Sequence, residues 1–339
     1  MKKVAVIGAG SWGTAVASIL GGKGVRTALW ARSAEVAEAI ASAHRNPRYL
    51  SDLVLPDAVW STTDIEEALR GADAIIVATP SQAVRDAAQA IAGVWDGRAP
   101  IVSLAKGLER GSLLRMTEVL ADVLGHREMF AALSGPNHAE EVSAQIPSAT
   151  VISAYDPALG IALRDLFMTP AFRAYTNPDV VGVELAGAAK NVVAVAAGMS
   201  DGLGYGDNTK ATLMTRGLAE MSRLGRAEGA NPLTYMGLAG MGDLIATCTS
   251  RHSRNRGLGE RIARGGTVED FELETHMVAE GAVSCMTVDE LATRRGLELP
   301  ITHQVRAIVH DGVAVSSAAG ALMGRNATDE LHGMDLIDI

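Results

Sequence analysis

Close to its start the chain runs Val4-Ala5-Val6-Ile7-Gly8-Ala9-Gly10-Ser11-Trp12-Gly13, an apolar run that breaks into glycines and resumes as a helical pattern over residues 14–20. A Gly-x-Gly-x-x-Gly set between a strand and a helix leaves few folds open. Gly8 permits the tight turn, Gly10 lets backbone approach a pyrophosphate, and Gly13 lets the helix pack closely on the strand. The free N–H groups at the helix start then face the phosphates. Further short apolar strands are predicted at residues 27–30, 74–79, 101–105, 149–153 and 173–176, with helices at 82–93 and 157–167. Residues 130–142 read as a strand end, a Gly135-Pro136-Asn137 turn and a helix start. Such alternation builds βαβ units and a mainly parallel sheet.

Pro178 marks a change of character: from residue 179 to about residue 325 only helical patterns and turns are found. The fold expected is α/β, a Rossmann-type mainly parallel sheet domain over residues 1–178 followed by an all-α domain over residues 179–339. The first would bind a dinucleotide and the second a substrate. Ligands of such sheets bind beyond the carboxyl ends of the strands, where Pro80, Ser81, Lys106 and Gly107 fall. The second strand ends Leu29-Trp30-Ala31-Arg32, without the acid that normally holds a ribose 2′-hydroxyl. Arg32 is therefore a candidate for a 2′-phosphate, or else a solvent arginine on a loop.

In the second half, residues 184–198 are apolar on nearly every side, the pattern of a buried helix, and Lys190 interrupts them. The chain has only six lysines, and Lys190 has no acid within reach on its own helix. It is either a desolvated acid/base with a lowered pKa or a lysine that snorkels or pairs with a distant acid. A second helix is predicted over residues 211–224. Asp243 follows a glycine turn and opens a short helix, where an N-cap role is expected. Arg251, Arg254 and Arg256 crowd one turn, the composition of an anion clamp or of a solvated basic turn. The turn at residues 276–281 yields nothing from spacing.

Few aromatic residues and a net charge of −9 argue against nucleic acid as a partner. Cys248 and Cys285 stand far apart, as expected of a reducing, cytoplasmic setting. The apolar run after Met1-Lys2-Lys3 is too short for a signal peptide, and no membrane insertion or metal site is expected.

The residues resemble the bacterial NAD(P)-dependent glycerol-3-phosphate dehydrogenases. The matching stretches are Gly-Ala-Gly-Ser-Trp-Gly-Thr-Ala at 8–15, Leu-Trp-Ala-Arg at 29–32, Asn-Pro-Arg-Tyr-Leu at 46–50 and Ala-Lys-Gly at 105–107. They continue with Ser-Gly-Pro-Asn-His-Ala-Glu-Glu-Val at 134–142, Glu-Leu-Ala-Gly-Ala-Ala-Lys-Asn-Val at 184–192 and Asp-Gly-Leu-Gly-Tyr-Gly-Asp-Asn-Thr-Lys at 201–210. Met-Gly-Asp-Leu at 241–244, Ser-Arg-Asn-Arg at 253–256 and Glu-Gly at 280–281 complete the set. The resemblance implies a cytoplasmic homodimer that interconverts dihydroxyacetone phosphate and sn-glycerol 3-phosphate for phospholipid synthesis. It implies NADPH as cofactor, with NADH also accepted. Carried over by position, it implies Lys190 as catalytic acid/base and Lys106, Gly135, Asn137, Lys190, Asp243, Ser253, Arg254 and Asn255 as substrate contacts. Beside Gly8, Gly10 and Gly13, it implies Ser11, Trp12, Arg32, Lys106, Ala139, Arg254, Val278 and Glu280 as cofactor contacts. Two positions depart from the family: Asn137 stands where a hydroxyl residue is common, and Gly257 where a further basic residue is often found.

Overall fold

Residues 1–324 are described by a computed structural model. They divide into two compact units, one of residues 1–105 and 114–180, the other of residues 106–113 with the chain from 181 onward. The sequence reading assigned residues 106–113 to the first domain because they follow a strand. Their contacts instead group them with the second unit.

Eight strands lie in the first unit: β1 (Lys3–Ile7), β2 (Arg26–Trp30), β3 (Val59–Thr62), β4 (Ala74–Val77), β5 (Ile101–Ser103), β6 (Phe130–Ser134), β7 (Ser148–Ala154) and β8 (Phe172–Asn177). They form one sheet in the order β3-β2-β1-β4-β5-β6-β7-β8. All neighbours are parallel except β6 and β7, so the mainly parallel sheet is as predicted. The edge strand β3 was not anticipated. Its four residues, Val-Trp-Ser-Thr, bury fully only Val59 and so lack a strong apolar pattern.

Alternation along β1 decides how the unit is layered. Val4 and Val6 point into one core, while Ala5 and Ile7 point into another. The first core is closed by α1 (Ser11–Gly22), α2 (Ala34–Ala43) and α7 (Pro157–Phe167), through residues such as Val16, Leu20, Ile40 and Phe167. The second is closed by α4 (Val84–Ala92) and α5 (Met116–Leu124), through Val84, Ile91, Val119 and Leu120. Two short helices, α3 (Ile65–Leu69) and α6 (Ala139–Ser143), complete the layers. The predicted limits of α7 hold because its start is written locally: Asp156 accepts from the N–H of Ala158 at 2.9 Å and Pro157 occupies the first turn.

The second unit is helical, with no strand among the described residues. Its helices are α8 (Val180–Gly202), α9 (Asp207–Ala227), α10 (Asp243–Thr249), α11 (Arg254–Ala263), α12 (Val268–Thr275), α13 (Gly281–Arg294), α14 (Pro300–Asp311) and α15 (Val315–Met323). Among the described residues α8 alone is long and apolar enough to cross a membrane, yet 94% of its apolar window is buried in the protein. It is a core helix. Other helices lie directly on it: a Cβ added at Gly259 of α11 would come within 2.7 Å of the Met199 nitrogen. A Cβ at Gly217 of α9 would come within 2.6 Å of the Val193 side chain.

Candidate active site

The glycine turn joins β1 to α1 at the point where the strand order reverses, between β1 and β4. Gly8 has a φ of +118°, which favours glycine, and a Cβ there would come within 2.8 Å of the Ala78 carbonyl oxygen. A Cβ on Gly13 would collide with the Gly8 carbonyl, whereas one on Gly10 would meet nothing within 4 Å. Gly10 thus borders open space that backbone N–H groups can line. No side chain caps the start of α1, which leaves Ser11 and its neighbours able to meet an anion. Trp12 is partly buried and packs edge-on against Phe172, with ring centroids 6.2 Å apart.

Asn46 holds this turn from behind. Its amide nitrogen donates to the Ala9 carbonyl and to the Thr14 hydroxyl, each at 2.9 Å. Its amide oxygen accepts from the N–H groups of Arg48 and Tyr49. The sequence reading gave Asn46 no role of its own, and it entered only within the Asn-Pro-Arg-Tyr-Leu stretch that carries the family resemblance. Arg32 is exposed beyond β2.

Gly135 has a φ of +136° beside β7. The Asn137 side chain is committed at both ends, its nitrogen donating to the Ala149 carbonyl at 3.1 Å and its oxygen accepting from the Thr150 hydroxyl at 2.9 Å. What Asn137 can offer a ligand is backbone, as for its neighbour Ala139 at the buried start of α6.

The second unit gathers Lys106, Lys190, Asp243 and Thr247. Lys190 Nζ lies 3.0 Å from Asp243 Oδ1 and donates to the Thr247 hydroxyl at 2.7 Å. That hydroxyl donates to Asp243 Oδ1 at 3.0 Å, and Lys106 Nζ donates to Asp243 Oδ2 at 2.6 Å. The side chains of Lys190 and Asp243 are 7% and 3% exposed, so almost no water screens the pair. Of the two sequence readings of Lys190, the distant acid is thus present, and the lysine is desolvated as well. Burial, with Lys106 acting in the same direction, lowers its pKa to about 8, although Asp243 opposes the shift. Burial works against the Asp243 charge, but Lys106 and Lys190 outweigh it and keep the carboxyl below its usual range. Asp243 is not an N-cap. A π-turn at Leu238–Gly242 leads into α10, so Asp243 is already helical and its carboxylate faces the lysines. Thr247 was missed, although its place four residues after Asp243 puts it on the same helix face. Cys248 lies nearby, but burial pushes its thiol up to about 12, which excludes it as a nucleophile.

A second chain of contacts orders the surrounding segments. Asn191 donates to the Lys106 carbonyl at 3.2 Å, Asn255 donates to the Asn191 amide oxygen at 2.8 Å, and the N–H of Gly281 donates to Asn255 at 2.8 Å. Both ends of the Asn255 side chain are therefore used within the protein. Ser253 caps α11, accepting from the N–H of Arg256 at 3.2 Å. The three-arginine clamp is not what forms. Arg256 is held by Asp201 at 2.6 Å and by Glu260 at 2.7 Å, while Arg251 and Arg254 are exposed. Val278 is 40% exposed, and Glu280 directly precedes α13. A cavity of about 570 Å³ lies elsewhere, lined by Leu203, Ile262, His310 and Val313 among others, and touches none of these residues.

Comparison with known proteins agrees along the chain. A family described as NAD-dependent glycerol-3-phosphate dehydrogenase N-terminus matches residues 3–160, and the corresponding C-terminus matches residues 179–320. A glycerol-3-phosphate dehydrogenase [NAD(P)+] of Nocardia farcinica is 48% identical over 337 residues, covering 97% of this chain and all of the relative. One from Thermobifida fusca is 46% identical, covering 98% of this chain and all of the relative. The crystal structure of a glycerol-3-phosphate dehydrogenase from Coxiella burnetii superposes with a TM-score of 0.91 at 35% identity, covering 95% of this chain and 99% of the other. A ketopantoate reductase from Ralstonia eutropha, at 19% identity and a TM-score of 0.61, shares the fold.

Proposed function

The chain belongs to the NAD-dependent glycerol-3-phosphate dehydrogenase family, and from that membership we propose that it interconverts dihydroxyacetone phosphate and sn-glycerol 3-phosphate with NADPH or NADH. The observation that carries this reading is the buried cluster in which Asp243 and Thr247 hold Lys190. A protein that only sensed a nicotinamide would have no use for a desolvated lysine whose pKa is lowered to about 8. The glycine turn suits a dinucleotide, because Gly10 leaves open the space a side chain would fill. Bound there, the nicotinamide would supply or accept the hydride.

The rest of the chemistry falls to the protein. An ammonium has three N–H donors. Asp243 and Thr247 take two from Lys190, which leaves one for the substrate oxygen. During reduction that N–H stabilises the charge growing on the oxygen and then delivers the proton. In the reverse direction the neutral amine accepts it. Lys106 adds a second positive charge, so two cations share one carboxylate and the cluster keeps a net positive charge toward an oxyanion. Arg254 would grip the substrate phosphate, and Gly135, Asn137, Ser253 and Asn255 would be further substrate contacts. Binding energy from that unreactive end would position the carbonyl. Ser11, Trp12, Arg32, Ala139, Val278 and Glu280 would face the cofactor, with Lys106 and Arg254 serving both ligands. A cytoplasmic homodimer that supplies glycerophospholipid synthesis is part of the same proposal.

The test is a spectrophotometric assay of NADPH and NADH oxidation with dihydroxyacetone phosphate as acceptor. Turnover is expected with both cofactors. Stoichiometric cofactor binding without turnover would favour a sensor.

A further inference from the structure

The end of β2 carries more charge than Arg32 alone. Glu35 lies three residues beyond Arg32, in the first turn of α2. Arg48 meets it from the following loop, Nη2 donating to Glu35 Oε2 at 2.6 Å. The two side chains are 55% and 68% exposed, and an ion pair so exposed adds little stability. The loop that presents Arg48 is nevertheless firmly fixed. Asn46, fully buried, accepts from the Arg48 N–H at 3.0 Å and donates at 2.9 Å to the Ala9 carbonyl inside the glycine turn. One buried amide therefore registers the backbone of Arg48 against the turn that would hold the pyrophosphate.

We propose that Arg48 is a second specificity-determining residue for the adenosine 2′-phosphate, with Glu35 as its internal counter-ion. Arg48 has this role only if the first unit holds a dinucleotide, as read above. A carboxylate near the end of the second strand suits a ribose 2′-hydroxyl and repels a 2′-phosphate. Glu35 supplies that carboxylate, and Arg48 neutralises it. With both present, Arg32, Glu35 and Arg48 sum to one positive charge. Without Arg48 they sum to zero, and the carboxylate faces any phosphate unopposed. The pair also lets one site take both cofactors, because a 2′-hydroxyl can meet Glu35 while a 2′-phosphate draws Arg48 to itself.

The test is calorimetric titration of the full chain with NADP+ and NAD+, in wild type, Arg48→Ala, Glu35→Gln and the double variant. Arg48→Ala should lower the preference for NADP+ over NAD+ by roughly tenfold, the effect of one lost charge-assisted contact near the surface. Glu35→Gln should raise that preference. Removing Arg48 should matter less in the Glu35→Gln background, since part of its work is to neutralise that carboxylate. A ratio unchanged by Arg48→Ala, or strictly additive effects, overturns the proposal. Wild type that binds neither nucleotide would overturn the dinucleotide reading of the first unit itself.

Discussion

Burial lowers the Lys190 pKa, and neighbours of opposite sign tune it from there, which makes its role testable by pH. Ketone reduction needs the ammonium form, which prevails below about 8, so its rate should be flat at neutral pH and fall above that value. Alcohol oxidation needs the amine and should rise through the same range. Asp243 holds the lysine pKa up while Lys106 pushes it down. Asp243→Asn should therefore move the falling limb to lower pH, and Lys106→Met should move it to higher pH. A limb that stays in place in both variants would belong to another group. Lys190→Ala should lower kcat by roughly 10²-fold or more while cofactor affinity persists, as measured by steady-state kinetics beside nucleotide titration. Arg254, exposed on α11, should matter to the phosphate and not to the ketone. Arg254→Ala should weaken dihydroxyacetone phosphate by about 1.5 kcal/mol, roughly tenfold, and leave unphosphorylated dihydroxyacetone nearly unaffected. Equal losses on both would remove the substrate-phosphate contact and leave Arg254 a cofactor or structural residue alone. The lysine itself was legible in sequence because a cation stood out among alanines. Its partners were not, because Asp243 and Thr247 reach it from another helix and only tertiary packing brings them together.

Helix α14 depends on a buried carboxylate from α9. Glu220, 4% exposed, accepts from the N–H of Ile301 at 2.6 Å and from both the N–H and the hydroxyl of Thr302, at 3.1 and 2.9 Å. It satisfies donors at a helix start that Pro300 opens but cannot cap. Burial raises its pKa, against those hydrogen bonds. Glu220→Gln turns one acceptor into a donor that faces other donors, and should cost about 1–3 kcal/mol of stability. A lower urea midpoint with KM unchanged would show this, whereas lost catalysis at full stability would place Glu220 in the site instead. Elements with such local signals were readable from sequence: α7 carries its Asp-Pro start, and α8 a run apolar on nearly every side. Elements without them were not. The edge strand β3 has too few buried residues to show a pattern, and α9 begins four residues before its predicted start, within a run of polar residues.

Over the whole molecule, a net charge of −9 opposes two anionic ligands, so binding relies on local cations set against that field. The global repulsion acts on NADPH and NADH alike except at the 2′-phosphate. Their ratio therefore isolates the cations around that group. Arg32 is exposed beyond β2, and its attraction for a phosphate is screened once the Debye length falls to about 10 Å near 0.1 M salt. The kcat/KM ratio of NADPH to NADH should thus exceed one at low ionic strength and shrink as salt is added. Arg32→Ala should cut the low-salt ratio, by roughly tenfold at most for an exposed contact, and flatten its dependence on salt. The loss should appear as a higher KM for NADPH, with NADH barely changed, because no other part of the cofactor differs. Kinetics with both cofactors at two ionic strengths, in wild type and variant, would decide it. A ratio that ignores salt in wild type would mean that selectivity comes from shape and not from charge. One that keeps its full salt dependence in Arg32→Ala would assign the work to Arg48, on the loop that follows α2.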